Sequence, residues 1–300
     1  MSDEKQIQPR FRVPRTVKLI APLAFVSAGF LLYLSIGIKL ISLWRWAAVV
    51  LATCPLMLFA VLLIGWRLAV LSGREITLRD GMAVNAIAQL VALLVPSRIS
   101  ELAKPVGLNL VGGLPLSKGL TILAIERIFD AVVLALLAFS ALTVLGGAFR
   151  TSIQSTGYVL FGIASVGLAS IAVAVIWPTF VKNLAGRLPG QWLRNQAENV
   201  VDTVSRLRNR RTGLLAIALT FLSWLAAYLI FLLFFRVLGA VDLTFGQILV
   251  VFVASTLGLI VSVAPGGMGT FEGAVAVSLV AFDVPLGMAI TLALLLRLCL

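Results

Sequence analysis

The sequence predicts an all-α integral membrane protein: a polytopic helical bundle of about six spans, with two Pro/Gly-broken re-entrant hairpins in inverted repeats. Three observations lead there. Hydrophobic residues make up 61% of the chain and charged residues 12%, with a mean hydropathy of +1.10. A soluble domain has no use for so much apolar surface. A pattern of apolar run, proline, glutamate and arginine occurs twice, about 170 residues apart. Most Lys and Arg lie in short loops beside apolar runs, the positive-inside signature of a helical membrane protein. The runs have helical length rather than the alternating segments of about ten residues that build an outer-membrane barrel.

Full-length spans are readable at about 17–38, 46–71, 116–146, 157–177 and 213–238, and two further apolar segments, 82–95 and 246–264, end at proline-containing breaks. The first of these two covers roughly 21 Å as a helix, against a hydrocarbon core of about 30 Å, and is too short to cross comfortably. Sidedness follows from parity. The N-terminal arm carries Lys5, Arg10, Arg12, Arg15 and Lys18, and the segment 178–211 is also strongly basic, so both belong on the cytoplasmic side. An even number of crossings must separate them. Spans 17–38, 46–71, 116–146 and 157–177 supply four, so the region 82–113 enters and leaves on one side, broken near Pro96. By the same count the second hairpin enters from the opposite side. The expected organisation is a cytoplasmic basic arm at 1–16 and a first membrane repeat at 17–146 with its hairpin at 82–113. A second repeat at 147–300 contains an amphipathic segment at 178–211 and a hairpin at 246–283.

Within 178–211, Leu193, Ala197, Val200, Val201, Val204 and Leu207 recur at helical spacing opposite arginines. Such a segment lies on anionic lipid or caps the bundle as a solvated basic helix. The apolar stretch 17–38 has no small-x-small cleavage site and reads as an anchor rather than a signal peptide. From Pro285 to Leu300 there are few residues for a span, and the chain reads as truncated there.

Composition also removes function classes. The chain has no histidine, which excludes imidazole acid–base chemistry and His-ligated metal. Cys54 and Cys299 lie far apart in apolar segments and form no redox or metal motif. No cofactor or metal is expected. The net charge of +12 is spread beside membrane spans, which argues against nucleic acid and for membrane lipids, anionic ones above all, as partners.

The residues able to carry chemistry are the charges in or beside membrane segments: Arg98, Glu101, Lys104, Glu126, Arg127, Asp130, Glu272 and Arg297. Each would cost about 2.5–3.5 kcal/mol at the centre of a lipid-facing helix, so they face one another, water or a polar ligand. Buried salt bridges that fix the hairpins, such as Arg127 with Glu101 or Glu272, are one role. A ligand site is another, and the two are compatible. In ERIFD, Glu126 and Asp130 share a helix face while Arg127 projects about 100° away. The two carboxylates suit a proton relay, a cation site or charge partnership with Arg98 and Lys104.

In PGGMGTFE, Gly266, Gly267 and Gly269 permit positive φ and close backbone approach, and Thr270 is placed to cap the helix that follows. Helix starts of this kind offer N–H donors to an anion, and Ser97 and Ser100 suit the same role in the first hairpin. A tight turn that needs glycine for packing is the plainer reading. Arginine suits a phosphate because its fork binds two oxygens at once. The set Arg98, Lys104, Arg127, Arg297, Gly266, Gly267, Gly269 and Thr270 is therefore the expected lipid head-group site. Glu101, Glu126, Asp130 and Glu272 serve as charge partners or coupling groups.

PSRISE, ERIFD and PGGMGTFE resemble the marker motifs of the lysylphosphatidylglycerol synthase transmembrane-region family, the flippase-like membrane proteins, over nearly the whole chain. Where that family often has glycine before the first glutamate, this chain has Ser100. The resemblance implies a helical membrane domain associated with moving charged or isoprenoid-linked lipids between leaflets. It carries over Arg98, Glu101, Glu126, Arg127, Asp130, Gly266, Gly267, Gly269, Glu272 and Arg297 as functional candidates. The expected function is a non-enzymatic, flippase-like transporter of the bacterial inner membrane, with a lipid head-group transferase, or the accessory subunit of one, as the alternative. An ion-coupled small-solute carrier fits the repeats and explains the basic surroundings less well.

Parity makes one direct prediction. Single reporter sites in the N-terminal arm and in 178–211 should label from the same, cytoplasmic side, and labelling from opposite sides would overturn the hairpin assignment.

Overall fold

The computed structural model describes residues 43–94, 100–142, 209–262, 264 and 266–300, with isolated positions between 162 and 205. The expected span 17–38, nearly all of 157–177, the arm 1–16, the break at Pro96 with Ser97 and Arg98, and most of 178–211 lie outside the described residues. What is described is helical throughout: α1 (Leu43–Leu71), α2 (Leu78–Leu94), α3 (Ala103–Gly112), α4 (Leu116–Leu142), α5 (Arg210–Leu238), α6 (Phe245–Val261), α7 (Thr270–Val280) and α8 (Leu286–Cys299).

Two of these helices are long and apolar enough to cross a membrane, Trp44–Leu71 and Arg210–Leu238. Trp44, Leu51, Leu58, Leu62 and Trp66 of α1 are exposed at intervals of seven and four, one outward stripe of a helix, whereas Val49, Thr53, Leu63, Arg67 and Val70 are buried. On α5, Leu214, Ile217, Phe221, Leu222 and Leu225 form the outward face. Exposed leucine and phenylalanine in such density suit hydrocarbon rather than water. The fold is thus all-helical and membrane-embedded.

The shorter helices repeat an arrangement. In the first half α2 packs on α3 and α3 on α4; in the second α6 packs on α7 and α7 on α8. The expected apolar segments 82–95 and 246–264 correspond to α2 and α6, each 17 residues and so about 26 Å long. Turn geometry follows the repeat too. Gly113, at φ 67°, and Asp283, at φ 63°, both take the left-handed conformation two residues before a proline that starts the next helix. Gly113 donates to Asn109 O and Leu114 to Leu108 O; Asp283 donates to Val280 O and Val284 to Leu279 O. Glycine enters that region freely, and aspartate is among the few others that tolerate it.

Helices in lipid gain no hydrophobic driving force from meeting one another, so close approach over small residues matters more. Two such approaches seat the short helices. A Cβ at Gly119 of α4 would lie 3.0 Å from the Pro105 Cα of α3, and one at Gly258 of α6 would lie 2.6 Å from the Thr270 carbonyl oxygen of α7. The halves join through α4, α5 and α6, which contact one another pairwise. Phe252 of α6 is the hub, with ring centroids of Trp224, Tyr228 and Phe231 within 6.0 Å. At Gly258 the neighbour is backbone and cannot yield, so Gly258→Ala should destabilise by about 1–3 kcal/mol. Gly273→Ala, with open space at its Cβ, should be neutral or mildly stabilising. Thermal unfolding of the detergent-purified variants measures both.

Candidate functional site

At the centre of the described helices stands a buried ionic network. Arg67, on the inner face of α1, has a side chain only 4% exposed and forks onto two carboxylates of α4. Its Nη2 donates to Glu126, and its Nη1 donates to Asp130 Oδ1 at 2.7 Å. The expectation that Glu126 and Asp130 share a face is met, because both reach one guanidinium. Lys104 of α3 donates to the other oxygen of Glu126 at 2.9 Å. From α5, Trp224 Nε1 donates to Asp130 Oδ1 at 3.1 Å, and Thr220 accepts from Arg67 Nη1 at 3.3 Å. Glu126 lies ten residues into α4, about 15 Å from its start, so the network sits at mid-depth of that helix.

These groups belong together physically. Glu126 is completely buried, and a carboxylate there persists only when paired and hydrogen-bonded. Two cations, Arg67 and Lys104, meet two carboxylates, Glu126 and Asp130. The four side chains come from three helices, and α5 contributes the neutral Trp224 and Thr220.

Beside the network lies a cavity of about 420 Å³, lined by Arg67, Asn85, Lys104, Arg127 and Asp130 among others. Gln89, Ser223, Ser255 and Thr256 add polar groups, and Trp224, Phe231, Phe252 and Phe271 add an aromatic wall. Arg127 is 47% exposed and lies 3.9 Å from both Glu101 and Asp130. It is the most accessible described cation of this cavity. Two buried polar atoms of the cavity's lining residues have no hydrogen-bond partner, Arg67 Nε and Asn85 Nδ2. A buried donor left unsatisfied costs about 1–3 kcal/mol.

The expected charged site residues divide into three groups. Lys104, Glu126, Arg127, Asp130 and Glu101 converge on the cavity or its network. Arg297 and Glu272 pair with each other at 3.6 Å, and the Arg297 guanidinium lies 5.0 Å from the Phe271 ring centroid. Each half therefore joins an arginine of its closing helix to its own glutamate, Arg127 to Glu101 and Arg297 to Glu272. Arg98 lies outside the described residues.

The glycine turn uses its donors within the protein. Gly266 N–H donates to Ala92 O in the last turn of α2 at 2.7 Å, and Gly267 N–H to Ala264 O at 3.1 Å. Gly269 N–H donates to Glu272 at 2.7 Å. Gly269, not Thr270, is the N-cap of α7, a correction to the expected cap. With φ at 83°, Gly269 turns its N–H onto the Glu272 carboxylate, so Thr270 becomes the first helical residue and donates its hydroxyl to Gly267 O. The Gly266–Ala92 bond ties the second break to the first half.

Sequence reading missed Arg67, Asn85 and Trp224. For Arg67 a signal existed, since one charge inside an otherwise apolar span marks a functional or paired position. Asn85 offers the same signal more weakly. Trp224 offers none, because an aromatic residue in a span reads equally well as lipid-facing.

Removal of one partner from a buried network leaves the other charge uncompensated. Glu126→Gln should therefore destabilise by about 3–5 kcal/mol in detergent unfolding, whereas Glu101→Gln, at a half-exposed pair, should change stability by less than about 1 kcal/mol.

No curated protein and no solved structure matches this chain. The family comparison does match: residues 19–300 align with the lysylphosphatidylglycerol synthase TM region. With almost the whole chain covered, including ERIFD at the buried network and PGGMGTFE at the turn before α7, the protein belongs to that family of flippase-like membrane proteins.

Proposed function

We propose that the protein is a transporter that moves a lipid with an anionic or isoprenoid-phosphate-linked head group between leaflets of the bacterial inner membrane. The observation that carries this reading is the polar cavity beside the Arg67–Glu126–Asp130–Lys104 network, among helices whose outer faces suit hydrocarbon. A head group crossing a bilayer needs a polar path at mid-depth, while its tails need only lipid. Arg127 is the first cation it would meet, accessible and held by long contacts, and its fork suits a phosphate. Arg67 and Lys104 lie deeper and are already paired, so they set the potential of the path rather than offering a free charge.

In this reading α2–α3 and α6–α7 are re-entrant hairpins of two inverted repeats, with the N-terminus cytoplasmic. The lengths of α2 and α6 support it, since about 26 Å falls short of a core of about 30 Å. The Gly266–Ala92 bond would hold the two breaks together, and exchange of access would require it to open. No bond in the lipid is made or broken, so the protein is not an enzyme.

Leaflet exchange of fluorescent anionic and polyprenyl-phosphate lipids in proteoliposomes tests this. Wild type should exchange at least one of them, and Arg127→Ala should slow that exchange by about tenfold or more while unfolding at the wild-type temperature, as loss of one charge-assisted contact entails. Equal exchange in both proteins would remove Arg127 from the path. No exchange by folded wild type, with product formed from a labelled head-group donor, would replace the transporter with a transferase.

A further inference from the structure

A second cavity, of about 460 Å³, lies where the C-terminal end of α1 meets the first turn of α5. It shares no lining residue with the central cavity. Both helices are long enough to cross a membrane, so a cavity at their ends lies at the membrane surface. Its polar lining is Arg74, Arg211, Ser205, Asn209 and Thr212, two arginines and no carboxylate. The chain brings Arg74 there through a left-handed turn. Gly73, at φ 74°, and Arg74, at φ 63°, end α1, and Arg74 N–H donates to Ala69 O at 2.8 Å. Across the cavity, Asn209 caps α5 by accepting from Arg211 N–H at 3.1 Å. Its carbonyl oxygen is thereby used, and the end of that amide left to a ligand is the donor nitrogen.

The charge of this cavity is not answered from within the protein. The acids nearest Arg74 in sequence are engaged elsewhere. Glu75 accepts from Lys118 at 2.6 Å, and Asp80 accepts from the Thr77 amide at 2.9 Å and its hydroxyl at 2.7 Å. Among the described residues, neither Arg74 nor Arg211 forms a salt bridge. Two like charges on one cavity repel, and an anion between them turns that repulsion into attraction. The number of charges and donors selects the anion. A carboxylate brings one charge and two oxygens, which one guanidinium satisfies. A phosphate monoester brings about two charges at neutral pH and three terminal oxygens, enough for both forks and for the Asn209 and Thr212 donors.

We propose that this cavity is a phosphate-monoester site at the membrane surface, with Arg74 and Arg211 holding the phosphate and Asn209 and Thr212 donating to it. The site is separate from the central cavity and does not depend on the transport reading. An occupant bridges α1 and α5, the two helices that also meet through Arg67 and Thr220. The phosphate can come from a lipid that ends in the monoester or from a soluble ester, and the recognition chemistry is the same.

Isothermal titration of the purified full chain in detergent tests the site with three probes: dioctanoyl phosphatidic acid, glycerol 3-phosphate, and the diester dioctanoyl phosphatidylglycerol. At least one monoester should bind. Arg74→Asn keeps a residue that tolerates left-handed φ, and Arg211→Gln changes an exposed helix start. Each should weaken monoester binding by about tenfold, the scale of one charge-assisted contact, and leave the diester unchanged. Arg127→Ala should keep the monoester affinity. Binding of the lipid monoester alone supports the site with a lipid source, and binding of glycerol 3-phosphate supports it with a soluble one. Binding of neither by folded wild type would overturn the proposal. So would an equal loss of the diester in both variants, which marks unselective surface charge, or a monoester affinity lost in Arg127→Ala and kept in Arg211→Gln. Should Arg74→Asn fail to fold, Arg211→Gln alone decides.

Discussion

The interaction on which the rest of the structure depends is the fork of Arg67 onto Glu126 and Asp130, closed by Lys104. A membrane interior penalises each of these charges separately, and only mutual pairing makes them tolerable there. Because the four residues come from α1, α3 and α4, satisfying the charges also settles where three helices meet. Trp224 and Thr220 extend the hold to α5. Packing alone would supply less direction, since apolar helices in lipid slide past one another at little cost.

Around that fixed centre the two halves use the same local devices. Each has a 17-residue apolar helix, a second short helix, a left-handed turn and a proline that opens the closing helix. Each also links an arginine of the closing helix to a glutamate just before or within the first turn of its second short helix, Arg127 to Glu101 and Arg297 to Glu272. The halves then differ in what they bring to the cavity. The first half supplies the charges of the network, while the second supplies Phe252, Phe271, Ser255 and Thr256 to the cavity wall. The lining of the cavity therefore combines ions from the first half with aromatic and hydroxyl groups from the second.

Much of this was legible beforehand. The apolar runs marked α1, α4 and α5 because a membrane demands uniform hydrophobicity over a fixed length, which composition reports directly. The twice-occurring pattern of proline and arginine is matched by the repeated turns at Gly113 and Asp283, since proline and left-handed residues are local constraints. Glu126 and Asp130 could be assigned to one face from helical periodicity alone. The glycines of PGGMGTFE were legible as a turn, but the destination of their N–H groups was not. Gly266 bonds to Ala92 far away in sequence, and Glu272 folds back on Gly269 to displace Thr270 from the cap.

By itself, then, the sequence determined that the protein is helical and lies in a membrane, and which charges must find partners. Periodicity, length and the cost of charge in hydrocarbon are properties of single segments, so one chain read in order reveals them. Which charges pair with which was decided by tertiary structure alone. Arg67 meets Glu126 across 59 residues, and Trp224 meets Asp130 across 94. Those distances close only when helices pack, and no local preference encodes them. The unpartnered nitrogens of Arg67 and Asn85 belong to the same class of fact, because a donor is left over only after every other group has found its place.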